Sequence, residues 1–190
     1  GLDNLIFNND KTISKTNNIK IDLSSIAKGY AVDKISEYLL GEKINNHMIE
    51  VGGEVKTSGK NIYNKPWSIG VQWPYLNSKS DKAIKPFTIL ELSDFSVATS
   101  GSYQNYFSSN GRKYSHIISP KTGYPIETNI ISVSVLSNLC YLSDAMATAL
   151  MLMSVEKGID LIESLEGYEC YYILDDNSVV YSSGIKKFLN

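Results

Sequence analysis

The chain has 190 residues, of which 43% are hydrophobic and 20% are charged, and its formal net charge is −2. This size and composition fit one globular domain over residues 1–190 that is large enough to bury a core. The weakly acidic balance, with Arg112 as the only arginine, argues against a nucleic-acid partner, because such partners attract basic surfaces.

The first half of the chain combines short extended segments with one helix. Apolar residues recur every four positions from Ala27 to Leu39, which predicts a helix that Ser24 or Ser25 caps and Gly41 ends. Extended segments are predicted at residues 19–23, 47–51, 54–57 and 67–72, and residues 74–86 are typical of an exposed loop.

The second half predicts hairpins around two further helices. Residues 87–92 and 95–99 are predicted to pair across residues 93–94, residues 103–107 and 112–118 across Asn110 and Gly111, and residues 170–174 and 178–181 across residues 175–177. A strand at 130–136 precedes a helix that Ser137 or Asn138 caps and that ends near Ser154, and a last helix covers 155–165. The pattern predicts an α+β fold of antiparallel strands and packed helices.

Asp144 and Thr148 lie four residues apart on a predicted apolar helix, so their side chains share one face. A carboxylate on such a face needs a partner or a metal, and an oxygen-only pair suits Mg²⁺. The alternative is a structural aspartate near a helix N-terminus, with Thr148 bonded back to its own helix.

Three other segments are candidates for binding phosphate, each with a plain structural alternative. Residues 99–102 (TSGS), with Ser100 and Gly101, offer hydroxyls and a pliable backbone, or simply form a turn. Gly52 and Gly53 permit close approach of a ligand, or mark a bulge. Asp22 and Lys28 flank a helix start that attracts anions, or belong to an ordinary capped helix with a solvated lysine.

His116 is a candidate general base, because a neutral imidazole beside a phosphate-binding loop can accept a proton from an attacking hydroxyl. A structural histidine is the alternative there, and His47 is interpreted as structural. Cys140 and Cys170 lack the spacing of a zinc site, and they form either a disulfide or two small buried apolar groups.

Six segments together resemble the ApbE family of FAD:protein FMN transferases. They occur in family order at residues 21–33 (IDLSSIAKGYAVD), 51–54 (VGGE), 67–71 (WSIGV), 98–103 (ATSGSY), 114–125 (YSHIISPKTGYP) and 144–149 (DAMATA). The resemblance implies a T-fold-like α+β architecture with antiparallel sheets and packed helices.

The resemblance also implies a ligand set. FAD would lie across Asp22 and Lys28, Gly52 and Gly53, Ser100 and Gly101, and the loop of His116 and Ile117. Mg²⁺ would be held by the carboxylate of Asp144, the hydroxyl of Thr148 and a backbone carbonyl near Ser25.

The reaction implied by the resemblance moves FMN from FAD to a threonine or serine of a target protein and releases AMP. The target would be a flavin-carrying subunit of a membrane redox complex. The alternatives are an Mg²⁺-dependent FAD pyrophosphatase and a non-catalytic flavin-binding fragment.

No stretch has the length and hydrophobicity of a signal peptide or a transmembrane span. Because the chain starts at Gly1 and the family has a segment before the first matched helix, we expect a processed or shortened product. By the same resemblance, the expected location is the periplasmic side of the bacterial inner membrane, with a lipid anchor on the full-length parent.

Overall fold

The computed structural model of the protein describes residues 2–72, 88–102, 106–109, 112–115 and 117–190. The strands are β1 (Leu5–Phe7), β2 (Ile13–Lys15), β3 (His47–Val51), β4 (Glu54–Ser58), β5 (Trp67–Val71), β6 (Thr88–Leu92), β7 (Ser96–Gly101), β8 (Tyr106–Ser109), β9 (Arg112–Ser115), β10 (Ile130–Ser137), β11 (Glu169–Leu174) and β12 (Val179–Tyr181). The helices are α1 (Ala27–Gly41), α2 (Cys140–Leu150) and α3 (Val155–Glu163), with 3-10 turns at Leu2–Asn4 and Ser183–Phe188.

A six-stranded antiparallel sheet in the order β12-β11-β10-β7-β4-β3 organises the fold. Both of its faces are covered, which explains why β11 is apolar at nearly every position. Cys170 and Tyr172 pack in the layer that also holds residues of α2 and α3, whereas Tyr171 and Ile173 face a second layer. That second layer joins the sheet to the β5–β6 ribbon and to the C-terminal 3-10 turn, so the ribbon is fixed against the sheet.

Helices α1 and α2 pack closely, and a glycine makes this approach possible. A Cβ atom on Gly29 would lie 2.5 Å from the carbonyl oxygen of Cys140 and 2.7 Å from the Cα of Tyr141. Those are backbone atoms, so only glycine fits at this position of α1. Within the described ranges, no helix is both long enough and apolar enough to cross a bilayer.

The predicted pairing of residues 87–92 with 95–99 is wrong, although both segments form strands. β6 pairs with β5 instead, and β7 pairs with β4 and β10. Asp94 has a φ of 62° but Ser93 does not have a positive φ, whereas the tight hairpin turns need a positive φ at the first central residue (type II′) or at both (type I′). The backbone carbonyl of Phe95 accepts from the amide of Thr57, so the chain crosses from the ribbon to the main sheet here.

The predicted helix caps at the first two helices are also wrong. The residues that precede α1 and α2 are Ile26 and Leu139, and neither makes a side-chain cap hydrogen bond. Helix α2 ends at Leu150 rather than near Ser154, because the Ser154 hydroxyl caps α3 by accepting from the amide of Lys157. Both helices therefore obtain their N-terminal partners from elsewhere in the fold.

Other predictions are confirmed in outline. The hairpins of β8 with β9 and β11 with β12 form, as does the long strand β10. Asn110 and Gly111, between β8 and β9, lie outside the described residues, as does the whole of the predicted loop at 74–86. The segment at 19–23 joins no strand, and the β1–β2 hairpin was not predicted. Cys140 and Cys170 are both buried and free, which overturns the disulfide alternative.

Candidate active site

A cleft of about 920 Å³ opens beside the N-terminal end of α1, and its volume suits a small-molecule ligand. Its walls come from segments that are far apart in the sequence: residues 22–28 before and within α1, the β3–β4 turn, β5, the end of β7, and α2. The predicted site residues that line it are Asp22, Ser25, Lys28, Gly52, Gly53, Ser100, Gly101, Ile117, Asp144 and Thr148. His116 lies outside the described residues, whereas its neighbour Ile117 lines the cleft.

Asp144 is held at the meeting point of two helices. Its side chain projects from α2, is 4% exposed, and accepts a hydrogen bond through Oδ2 from the amide of Gly29 at 3.0 Å. Burial raises the pKa of Asp144 above its ordinary value, while the Gly29 amide and the nearby Lys28 ammonium act in the opposite direction. The carboxylate of Asp144 therefore interacts with the N-terminal, positive end of α1 and not with the N-terminus of α2, its own helix.

Thr148 lies one turn further along the same face of α2. Its hydroxyl pairs with the hydroxyl of Ser100 at 3.0 Å, which links α2 to β7. The structure therefore supports the shared face predicted for Asp144 and Thr148 and gives Thr148 a partner on a different element. Ser100 and Thr148 together present two hydroxyl groups to the cleft.

Gly52 and Gly53 form the two-residue turn between β3 and β4. Their φ angles are 61° and 99°, a region that side-chain-bearing residues rarely adopt. A Cβ atom on Gly52 would lie 3.2 Å from the Cδ atom of Lys28, so the glycine also leaves room for the lysine stem. This turn brings the backbone of the hairpin to the edge of the cleft.

Lys28 and Glu54 form an ion pair in the wall of the cleft. The Nζ atom of Lys28 lies 2.6 Å from Oε1 of Glu54 and also donates to the carbonyl of Gly52 at 3.4 Å. The side chain of Lys28 is 46% exposed, whereas that of Glu54 is 2% exposed. In the described part of the chain, Oε2 of Glu54 has no hydrogen-bond partner. Burial raises the pKa of Glu54, with Lys28 opposing that change and Asp144 adding to it.

Glu54 is the residue of this site that the sequence reasoning missed. It lies in segment 51–54 of the family resemblance, which implied no role for it. The available signal was its place directly after a glycine pair and at the start of a strand whose next residues are largely buried. A carboxylate at such a position must be buried and paired.

Asp22 stands at the rim, before α1. Its Oδ1 atom accepts from the amide of Ser24 at 2.8 Å and from the Ser24 hydroxyl. These bonds lower the pKa of Asp22, so this exposed carboxylate is ionised at neutral pH. Ser25, the next residue along, lines the cleft just before α1 begins.

The donor atoms around Asp144 fit a hard divalent cation. A carboxylate, the Thr148 hydroxyl and the backbone near Ser25 are all oxygen donors, which Mg²⁺ prefers. Among the described residues, no three His, Cys, Asp or Glu side chains cluster as a metal site. This sparse set suits an ion that completes its coordination with water and phosphate oxygens.

The fold matches that of solved flavin transferases. The flavin transferase ApbE of Vibrio cholerae superposes with a TM-score of 0.83 at 36% identity, over 100% of this chain and 59% of that chain. The ApbE protein of Thermotoga maritima superposes with a TM-score of 0.86 at 30% identity, over 100% and 60% of the two chains. The predicted α+β class and ApbE architecture are thereby confirmed.

The chain belongs to the ApbE family, whose sequence model matches residues 1–172. The FAD:protein FMN transferase of Vibrio cholerae serotype O1 is 37% identical over 192 residues, which cover 100% of this chain and 56% of the relative. The enzyme of the same name from Escherichia coli K12 is 34% identical over 153 residues, which cover 80% of this chain and 42% of the relative. The chain thus spans about half the length of the curated relatives that it matches.

Proposed function

We propose that this chain carries the catalytic cleft of an FAD:protein FMN transferase, which moves FMN from FAD to a threonine or serine hydroxyl of a target protein and releases AMP. The observation that carries the proposal is the convergence of Asp144, Thr148, Ser25 and Lys28 on one cleft in a chain of the ApbE family. Relatives named FAD:protein FMN transferase support the reaction class.

In this reaction the acceptor oxygen attacks the phosphorus atom on the FMN side of the diphosphate. A new P–O bond forms, the bond from that phosphorus to the bridging oxygen breaks, and AMP leaves with the bridging oxygen. The hydroxyl proton passes to a base, for which His116 remains the candidate. The chain itself contributes the Lys28 ammonium, which would stabilise phosphate charge, and the backbone of the Gly52–Gly53 turn, which would admit the ligand closely.

The Mg²⁺ ion implied for this reaction would be held by the Asp144 carboxylate, the Thr148 hydroxyl and the backbone carbonyl near Ser25, and it would offset charge on the diphosphate when bound. Asp144 is suited to this because its Oδ2 is fixed by the Gly29 amide. A lysine and a divalent ion together also explain how a chain with a single arginine could neutralise a diphosphate.

The test is to incubate the chain with FAD, Mg²⁺ and a flavin-acceptor domain, and to measure the intact mass of the acceptor. We expect the acceptor to gain one FMN, and the gain to disappear after chelation or in Asp144→Ala. Glu37→Gln, on the exposed side of α1, is the matched control and should retain transfer. FMN and AMP released without acceptor labelling would instead identify a pyrophosphatase, and intact bound FAD a non-catalytic flavin binder.

The acceptor that we propose is a flavin-carrying subunit of a membrane redox complex on the periplasmic side of the inner membrane. The support is the family membership together with the relatives' name, which specifies a protein as the acceptor. Labelling of an isolated periplasmic acceptor domain, but not of a cytoplasmic flavodoxin used as a control, is the expected result.

A further inference from the structure

Glu54 is the feature of the cleft that the proposed reaction leaves unexplained. Its side chain is 2% exposed, and one of its two carboxylate oxygens has no hydrogen-bond partner in the described part of the chain. A buried carboxylate that is only half satisfied costs stability, and an apolar residue of similar size would often serve a fold equally well. The presence of a charged group here therefore calls for a functional reason.

The charges around Glu54 supply that reason. The Lys28 ammonium lies 2.6 Å from Oε1 of Glu54, and Asp144 lines the same cleft and adds to the raised pKa of Glu54. Lys28 acts on the ionisation of Asp144 as well. Lys28 directly precedes Gly29, whose amide donates to Asp144, so its ammonium and a divalent cation at Asp144 would share one partly buried cleft, where like charges repel each other strongly.

We propose that Glu54 is a positioning residue of the cation site: its carboxylate holds the Lys28 ammonium at the Gly52 side of the cleft and offsets its charge, so that a divalent cation can bind at Asp144. This inference rests on the proposed function, because it takes Asp144 as the cation ligand. Glu54 acts through Lys28 and through its own negative charge, and it need not touch the ion.

The geometry explains why Lys28 stays in place. A Cβ atom on Gly52 would lie only 3.2 Å from the Cδ of Lys28, so the glycine leaves room for the lysine stem. The Nζ of Lys28 reaches both Oε1 of Glu54 and the Gly52 carbonyl. With the ammonium held in this way, the site would combine the two carboxylates of Glu54 and Asp144 with the Lys28 ammonium and one divalent ion. These four groups carry a combined charge of about plus one, which favours an anionic diphosphate at their position, although the carboxylates of Asp22 and Glu50 also line the cleft.

The experiment measures Mn²⁺ binding to the full chain by electron paramagnetic resonance of the free ion, with no flavin present. We expect Glu54→Gln to weaken Mn²⁺ binding between about 10- and 100-fold, the usual effect of a partner that acts on a metal site from outside its ligand shell. The double variant Glu54→Gln with Lys28→Met should return to within about threefold of wild type, since both opposing charges are then absent. A residue that merely supports the fold would not show this rescue.

Two further variants separate the ways in which the inference could fail. Glu37→Gln removes the same charge from another lysine pair of α1, 2.5 Å from Lys34 but well exposed, and should leave Mn²⁺ binding unchanged. Asp144→Asn should abolish binding. If Asp144→Asn abolishes binding while Glu54→Gln has no effect, or if the double variant is as weak as Glu54→Gln, the role of Glu54 is refuted and the proposed function stands. If Asp144→Asn binds Mn²⁺ normally, the cation site of the proposed function is itself refuted.

Discussion

Asp33 on α1 caps the N-terminus of α2, and Asp144 on α2 caps the N-terminus of α1. Asp33, on α1, accepts from the amides of Cys140 at 3.0 Å and Tyr141 at 2.9 Å, which are the first two residues of α2. Asp144, on α2, accepts from the amide of Gly29 in the first turn of α1. Each carboxylate therefore satisfies orphan amides of the other helix, and together they fix the two helices that border the cleft.

Replacing Asp33 by alanine should destabilise the protein and disturb the cleft. The amides of Cys140 and Tyr141 would lose their acceptor, at a cost of about 1–2 kcal/mol in the free energy of unfolding. Asp144 would also move with its helix, so Mn²⁺ binding should weaken. Urea denaturation and Mn²⁺ titration measure the two effects. Ser154→Ala is the control, because it removes the cap of α3 and should lower stability alone. Unchanged Mn²⁺ affinity in Asp33→Ala would show that the cap does not position Asp144.

Gly29→Ala should be among the most damaging small substitutions in α1. The new Cβ would meet backbone atoms of Cys140 and Tyr141 at 2.5–2.7 Å, and backbone cannot move aside as a flexible side chain can. We expect a loss of about 1–3 kcal/mol in the free energy of unfolding, measured by thermal and urea denaturation. Gly41→Ala, at the end of the same helix with nothing within 4 Å, should instead be neutral or stabilising by up to about 1 kcal/mol. Equal stability of the two variants would contradict the close approach of α1 and α2.

Local sequence patterns predicted the elements better than their partners. The Gly52–Gly53 turn and the strands on either side of it were predictable, because a two-residue turn with positive φ angles has few alternatives to glycine. The pairing of β6 with β5 was not predictable, because a single residue with a left-handed conformation, Asp94, does not determine which strand the chain pairs with next. Both helix starts were misassigned for a related reason, because the capping carboxylates come from more than 100 residues away.

The composition of the cleft was largely predictable, but its internal pairing was not. Asp144 and Thr148 could be placed on one helix face from their spacing, and the structure puts both in the cleft. Their actual partners, Gly29 and Ser100, depend on tertiary packing that no local pattern encodes. The role of Glu54 was not predicted because it depends on the burial of its carboxylate beside Lys28, which is determined by tertiary packing.

Cys140 and Cys170 should be inert in the folded protein. Both are buried, and burial raises the pKa of each thiol, to about 12 for Cys170, so little reactive thiolate exists near pH 8. We expect iodoacetamide to add nothing to the native chain and two groups to the chain in guanidinium, as read by intact mass. A chain that gains no adducts when denatured without reductant, but two after reduction, would instead reveal a disulfide.

The pH dependence of stability provides a test of the burial of Glu54. Burial raises its pKa above the ordinary 4.5, so the folded chain holds this proton more tightly than the unfolded chain. The contribution of Glu54 to stability is therefore fully present below the ordinary pKa and is lost as the pH rises through the raised value. Asp144, whose pKa is also raised, behaves in the same way and is left intact in the comparison.

Glu54→Gln has no such titration, so its stability relative to wild type should improve as the pH rises from about 4 to about 7. Urea denaturation without divalent cations measures this difference, and Glu37→Gln, at an exposed carboxylate, should show a nearly constant difference. A relative loss of stability in Glu54→Gln with rising pH would mean that Lys28 stabilises the charged form more than burial opposes it. The expected result, a carboxylate that lowers stability at neutral pH, would leave the binding of ligands in the cleft as the reason for its presence.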